Sequence, residues 1–336
     1  MRKPKIGFIS LGCPKNQIDT EVMLKELADA GYEITAEDIS ADIIIVNTCA
    51  FIESAKKEAI DNILDVAWLK KHRKLKGIIC CGCLAERYRE EVFTELPEVD
   101  AVVGTGSIHN IVKAVEEVWA GRRYISCEKN ECLRLGGERI VTTPEYTAYI
   151  KIAEGCDNRC SYCAIPLIRG GFRSRPIEDI AAEAKELEAL GVKELVIVAQ
   201  DTTRYGLDIY GEYSLARLIK ALTAETKIPW FRLLYCYPDK ITDELITEIR
   251  ENPRVRRRAC PRYGEAAERR RSRHRPAHDR HRRLPRRDRR GLQRALRIHK
   301  RGGIRPLRRV HLLPRGGYAG IRSPRSDRRA DKAGPP

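Results

Sequence analysis

No stretch of the 336-residue chain approaches the ~18 consecutive apolar residues of a membrane span. No internal repeat and no Gly/Ser-rich linker divides it. A bilayer-spanning helix, a solenoid and tethered domains are therefore not expected. Nor is a signal peptide expected: Met1-Arg2-Lys3-Pro4-Lys5 leads into an apolar run broken at Gly7, Ser10 and Gly12. A reducing cytoplasm is the expected home, where the 12 cysteines bind metal or react rather than pair as disulfides. From Arg254 onward Phe, Met and Trp are missing, and only 11 of 83 residues are Ile, Leu or Val. Neither the helical nor the strand period persists there, so the tail is expected to be disordered, without a packed core.

The formal net charge of +17 suggests a nucleic-acid binder, but the average misleads. The tail holds 28 Arg, 2 Lys and 6 acidic residues, a net of +24, which leaves −7 for residues 1–253. An acidic body argues against nucleic acid as its main partner. Two kinds of sequence are joined at about Arg254.

The body alternates strand and helix, so the fold class is α/β. Strands are expected at Lys5 to Leu11, Asp42 to Asn47, Gly77 to Cys81 and Ala101 to Val103, and helices at Ile18 to Ala30, Ser54 to Leu69 and Ile108 to Ala120. These make residues 1–120 an N-terminal domain with an open parallel sheet covered on both faces. Residues 121–147 read as a connector. Residues 148–253 resume with strands at Ala148 to Ala153, Glu194 to Ala199 and Trp230 to Tyr235. Helices at Ile177 to Leu190, Ser214 to Thr223 and Asp243 to Glu251 complete three βα units, the start of an incomplete β/α barrel. Residues 254–336 form the Arg-rich tail.

Cys156, Cys160 and Cys163 lie in Ala153-Glu154-Gly155-Cys156-Asp157-Asn158-Arg159-Cys160-Ser161-Tyr162-Cys163, with no fourth Cys or His close by. A structural zinc site closes with four protein ligands. Three thiolates instead suit a 4Fe-4S cluster with one iron left open to a small molecule. A zinc site whose fourth ligand comes from elsewhere in the fold is the alternative. A second trio, Cys13, Cys49 and Cys83, follows three successive strands, spaced by about one βαβ unit each time. Ligands of open parallel sheets bind outside the carboxyl ends of the strands, so these thiols can converge. Separate small apolar residues at strand ends are the alternative. Cys80 and Cys81 lie within a strand, at least one of them as core, and Cys236 reads as packing in a buried strand. Cys127 and Cys132 are a conceivable redox pair, though no role is the simpler reading.

These motifs closely resemble those of the radical S-adenosylmethionine (SAM) methylthiotransferases, over residues 5 to about 253. Within that family, Ser10-Leu11-Gly12-Cys13-Pro14-Lys15-Asn16, Ala153 through Gly170, Gln200-Asp201-Thr202-Thr203-Arg204-Tyr205-Gly206 and Tyr235-Cys236-Tyr237-Pro238-Asp239 look like the branch that modifies an aspartate of small-subunit ribosomal protein twelve. The resemblance implies that Cys156, Cys160 and Cys163 hold the 4Fe-4S cluster that binds and reductively cleaves SAM, with Tyr162 fitting the pattern. It implies an auxiliary 4Fe-4S cluster on Cys13, Cys49 and Cys83. A 5′-deoxyadenosyl radical would take a hydrogen from the aspartate β-carbon, the auxiliary cluster would deliver sulfur, and a second SAM would supply the methyl group. Gln200, Asp201 and Thr202 are expected near SAM, against a helix-capping role. Arg169, Arg173 and Arg175 would hold a carboxylate or form a solvated face. Implied partners are the ribosomal protein or ribosome and a reductant such as flavodoxin or ferredoxin. A tRNA substrate for the same chemistry is the nearest alternative.

The family continues past this point through further barrel strands into a small C-terminal β-barrel, the TRAM domain, and none of its motifs follows Asn252. The tail is an RNA-binding arm (making the chain a non-catalytic RNA-binding protein), an unusual interaction domain, or out-of-frame translation. Abundant Arg, Pro, Gly, Ala and His with almost no Lys favours the last, a GC-rich frame read one base off. Such a chain, its barrel unfinished, is expected to be poorly soluble and to show little or no methylthiotransferase activity. Shifting the reading frame near codon 254 should restore alternating apolar strands and helices; a nucleotide sequence in which it does not would refute the frameshift.

Overall fold

The computed structural model describes residues 2–36, 40–128 and 135–255. The tail beyond, and with it the expectation of disorder, lies outside the described residues, as does Cys132.

The first part runs β1 (Lys5–Ser10), α1 (Pro14–Asp29), β2 (Glu33–Thr35), β3 (Ile43–Thr48), α2 (Glu53–His72), β4 (Gly77–Gly82), α3 (Cys83–Tyr88), α4 (Glu91–Glu95), β5 (Ala101–Val103), α5 (Ile111–Trp119) and β6 (Tyr124–Ser126). Its six strands form one parallel sheet in the order β2-β1-β3-β4-β5-β6. The run Ile43-Ile44-Ile45-Val46 is wholly buried because alternate side chains serve opposite faces. Ile44 and Val46 pack with Ile60, Ile63 and Val66 of α2. Ile43 and Ile45 pack with Met23, Leu24 and Leu27 of α1 and with Ile111 and Val115 of α5.

The second part runs β7 (Thr147–Lys151), β8 (Ala153–Glu154), α6 (Ile165–Arg169), β9 (Arg173–Ser174), α7 (Ile177–Ala189), β10 (Glu194–Val198), α8 (Leu207–Tyr210), α9 (Leu215–Glu225), β11 (Trp230–Leu233) and α10 (Asp243–Glu251). Its parallel sheet has the order β11-β10-β7, and β8 pairs antiparallel with β9. Ile150, Leu195, Ile197 and Phe231 pack against Ile180 and Leu187 of α7, Leu218 and Leu222 of α9, and Leu245 of α10. On the other face Val196 and Val198 of β10 meet Ile18 of α1. The first helix of the first part therefore covers the inner face of the second sheet. Among the described residues no helix is long and apolar enough to cross a membrane.

Several boundaries differ from the sequence reading, each for a physical reason. α1 begins at Pro14 rather than Ile18, because its first turn buries polar residues, Lys15 and Asn16, that carry no apolar period. β2 and β6 are three-residue edge strands, too short to show alternation, and β6 turns the start of the expected connector into sheet. The Ile108 to Ala120 helix is a 3-10 turn, Thr105–Asn110, followed by α5. β11 stops at Leu233, so Cys236 is half-buried in a loop, not in a buried strand. The body also extends past Arg254. Val255 is buried and bridges Phe231 in parallel, while the Arg254 guanidinium donates to the carbonyls of Ile228 (2.7 Å), Thr223 (2.7 Å) and Thr226 (2.8 Å). A fourth strand is thus begun on the edge of β11, and an arginine counted with the tail belongs to the fold.

Candidate functional site

The first cysteine set grows out of the six-stranded sheet. β1, β3 and β4 are parallel neighbours, so Cys13, Cys49 and Cys83, each just past its strand, emerge along one edge. Gly12 has φ 96°, and a Cβ there would lie 2.8 Å from Cβ of Cys49 and 3.3 Å from its Sγ; the glycine lets the two loops close on each other. Asn16 then ties all three strand ends. Its Nδ2 donates to the carbonyls of Leu11 (3.2 Å) and Thr48 (2.9 Å), and its Oδ1 accepts from the Cys83 thiol at 3.5 Å. Burial pushes Cys49 up and, opposed by the Arg169 guanidinium, Cys83 up to about 11. Burial thus favours the neutral thiols of Cys49 and Cys83 in the metal-free chain, so binding iron displaces their protons.

The second set lies in the loop between β8 and α6. Gly155 has φ 80°, and a Cβ there would stand 1.9 Å from the Gly171 carbonyl oxygen; only glycine fits where the loop's entry meets its exit. Cys156 donates its N–H to the Gly170 carbonyl at 3.1 Å and Cys163 to that of Cys160 at 3.0 Å. Cys156 is buried, Cys160 and Cys163 are half-buried, and Tyr162 beside them is 83% exposed. Asp201, fully buried past β10, accepts from Nδ2 of Asn158 in the cysteine loop (2.9 Å) and from Nζ of Lys240. Asp201 thus anchors the cysteine loop to the barrel and makes no side-chain cap to the turn that follows. Thr202 donates its hydroxyl to the Leu234 carbonyl.

A buried ion network joins the two sets. Lys151, at the end of β7, donates to Asp19 of α1 (2.7 Å) and to Glu154 of β8 (2.8 Å). Arg169, at the end of α6, reaches Asp19 (2.6 Å), Glu154 (3.2 Å), Asn16 and, at 3.6 Å, the Cys83 sulfur. Gln200 donates to the other oxygen of Glu154. All four ions are at most 4% exposed. Burial alone disfavours a charge. It pushes the Glu154 carboxyl up, but the Lys151 and Arg169 charges outweigh it and hold that group down at about 2. Burial likewise lowers Lys151, and Asp19 and Glu154 more than reverse this.

The network corrects the arginine reading. Arg169 is not solvated and not free for a ligand carboxylate, because it is already paired within the protein. Arg175 is equally buried, donating to Glu183 and to the Lys151 carbonyl at 2.6 and 2.7 Å. Arg173 is half-buried in β9. Both Cys80 and Cys81 are core, on opposite faces of the first sheet. Cys127 is half-buried, its thiol pushed up by burial to about 12. Asn16, Asp19, Lys151, Glu154 and Lys240 were not anticipated as site residues. The available signal was a charge in an apolar context, as in Tyr149-Ile150-Lys151-Ile152.

Among the described residues no three His, Cys, Asp or Glu side chains are drawn together as tightly as a single metal ion needs. A four-iron cube takes its thiolates on different irons, so its protein ligands stand farther apart. Two all-thiol trios have the donor chemistry of such a cube, three thiolates with one corner left open.

Comparison with known proteins agrees with this geometry. Residues 5–104 match the family described as Uncharacterized protein family UPF0004, and residues 150–263 match the Radical SAM superfamily. A solved radical SAM methyltransferase, TsrM from Kitasatospora setae, superposes with a TM-score of 0.53 at 14% identity, covering 73% of this chain and 57% of that one, which supports the fold alone. Fold and cysteine loop define a radical SAM protein. Among curated relatives, the ribosomal protein uS12 methylthiotransferase RimO of Desulforamulus reducens is 52% identical over 256 residues, 75% of this chain. RimO of Pelotomaculum thermopropionicum is 53% identical over 243 residues, 72% of this chain, and that of Geobacter sulfurreducens 51% over 256, 75% of this chain. The chain is similar to the RimO methylthiotransferases over about three quarters of its own length, and it spans only 57%, 55% and 57% of the length of these three relatives.

The network predicts a measurable coupling. Lys151→Met should destabilise the metal-free chain by about 3–5 kcal/mol, because Asp19 and Glu154 lose a buried counter-ion. Adding Asp19→Leu should recover part of that loss in urea unfolding. Strictly additive effects would show that the two parts are not joined through these ions.

Proposed function

We propose that the chain carries the catalytic machinery of a radical SAM methylthiotransferase whose target is the β-carbon of an aspartate in ribosomal protein uS12. Cys156, Cys160 and Cys163 would hold a 4Fe-4S cluster whose open iron takes SAM, and Cys13, Cys49 and Cys83 an auxiliary 4Fe-4S cluster. When bound, these groups supply a carbon-centred radical, the sulfur and the methyl group. The carrying observation is that Arg169 touches Cys83 of one trio and Glu154, two residues before Cys156, of the other.

The chain's own residues position and shield. Asp201 and Asn158 fix the cysteine loop against the end of β10, where β/α barrels place their sites. Gln200 is buried with its Oε1 lacking a hydrogen-bond partner among the described residues, which leaves an acceptor for the SAM amino or ribose groups. Thr202 and the exposed Tyr162 complete the suggested SAM-binding set. The branch name of the relatives supports uS12 as substrate, and the body's charge of −7 favours a protein over tRNA. A cytoplasmic setting and a flavodoxin or ferredoxin reductant go with this reading.

The chain as written, with its sequence pattern broken after Val255, should turn over poorly, while a version with the reading frame restored should be active. Incubating both with ribosomes and with tRNA, then measuring added methylthio groups by mass spectrometry, checks this. The restored version should modify uS12 and leave tRNA unmodified. Modified tRNA with unmodified uS12 would reverse the substrate assignment, and robust turnover by the chain as written would remove the claim of impairment.

A further inference from the structure

Lys15 is the second residue of α1, two residues after Cys13, and is only 7% exposed. Five cations are buried among the described residues: Lys15, Lys56, Lys151, Arg169 and Arg175. Four of them have a carboxylate within 4.0 Å, Lys56 through Glu53 and the others as given above. Lys15 has none. Its Nζ lies 3.5 Å from the Ala199 carbonyl oxygen, a long contact, and 3.5 Å from the centre of the Tyr235 ring. An ammonium taken out of water without an anion is costly, and a ring face offsets only part of that.

The position is as informative as the missing partner. Ala199 and Tyr235 follow β10 and β11, so Lys15 reaches from the first sheet to the mouth of the barrel. Tyr235 has φ 61°, a conformation a bulky side chain rarely adopts, and its carbonyl accepts from the Thr202 N–H at 3.1 Å. Tyr235 is 42% exposed, so the cover over Lys15 borders solvent.

We infer that Lys15 is a specificity-determining residue that binds a carboxylate, that of the acidic side chain to be modified, with the SAM carboxylate as the other possible source of the same chemistry. The inference rests on the proposed function for the identity of the substrate. It gives a role to a buried cation that has no carboxylate within salt-bridge distance: the incoming carboxylate completes the pair, and a neutral amide in its place leaves the ammonium unsatisfied. Asp and Asn differ by little else, so this one contact would separate them.

The test is equilibrium binding to the full-length chain reconstituted with iron and sulfide. The probes are a uS12 peptide carrying the target aspartate, the same peptide with asparagine, SAM, and decarboxylated SAM. The wild-type chain should prefer the aspartate peptide by about tenfold or more, the range of a charge-assisted contact. Lys15→Met should abolish that preference, Lys15→Arg should retain part of it, and neither should change the ratio between the two SAM forms. Unchanged iron content in each variant excludes a folding defect. If Lys15→Met instead erases the preference for SAM over its decarboxylated form, the carboxylate bound is the cofactor's. If both ratios survive Lys15→Met, Lys15 serves only as a counter-ion to the nearby thiolates and the inference is overturned. If the wild-type chain and the version with the reading frame restored both bind neither peptide, the uS12 substrate is refuted, and a wild-type chain that binds both equally refutes the role of Lys15 alone.

Discussion

Two cations and two carboxylates, all shut away from water, sit where the first sheet meets the second. Removing an ion from water costs several kcal/mol, and a buried pair recovers this only with close geometry and every remaining polar atom satisfied. Lys151, Arg169, Asp19 and Glu154 meet that condition by sharing partners, each cation reaching both carboxylates. Such a network adds little net stability compared with apolar packing. What it fixes is register. Asp19 sits on the helix that starts after Cys13, Glu154 two residues before Cys156, and Arg169 at the far end of the second cysteine loop. Satisfied together, these four side chains admit one relative placement of the two thiol trios.

The remainder of the site follows from that placement. Three parallel strands deliver Cys13, Cys49 and Cys83 to one edge, and Asn16 locks their loops with bonds to two strand ends and to the Cys83 thiol. Asp201 does the equivalent for the other loop through Asn158 and Lys240. Backbone geometry and side-chain bonds hold both trios without metal, so cluster binding is expected to exchange protons for iron more than to reorganise the chain.

The cysteines were legible in the sequence because strand and helix periods set where each one falls. Cys49 after a run of four buried aliphatics and Cys83 after Gly82 needed no structure to place. The network was not legible. Lys151 and Glu154 read as exceptions in apolar strands, Asp19 as one polar residue on an amphipathic helix, and their convergence depends on how two sheets pack, which no local period encodes. For the same reason Arg169 and Arg175 read as carboxylate holders or a solvated face. The start of α1 was missed because its first turn buries polar residues, where binary patterning is expected to fail. Arg254 was assigned to the tail by composition, yet its guanidinium closes the carbonyl ends behind α9 and hands the chain on to Val255. Composition describes a segment and cannot find its boundary residue.

The central claim is that one chain presents two separate three-thiolate cluster sites. Iron and sulfide counting on anaerobically reconstituted protein tests it most directly. The account predicts about eight irons per chain, falling to about four when Cys156, Cys160 and Cys163 are replaced by alanine and equally to about four when Cys13, Cys49 and Cys83 are replaced. About four irons in the unaltered chain, lost with one trio and indifferent to the other, would contradict it.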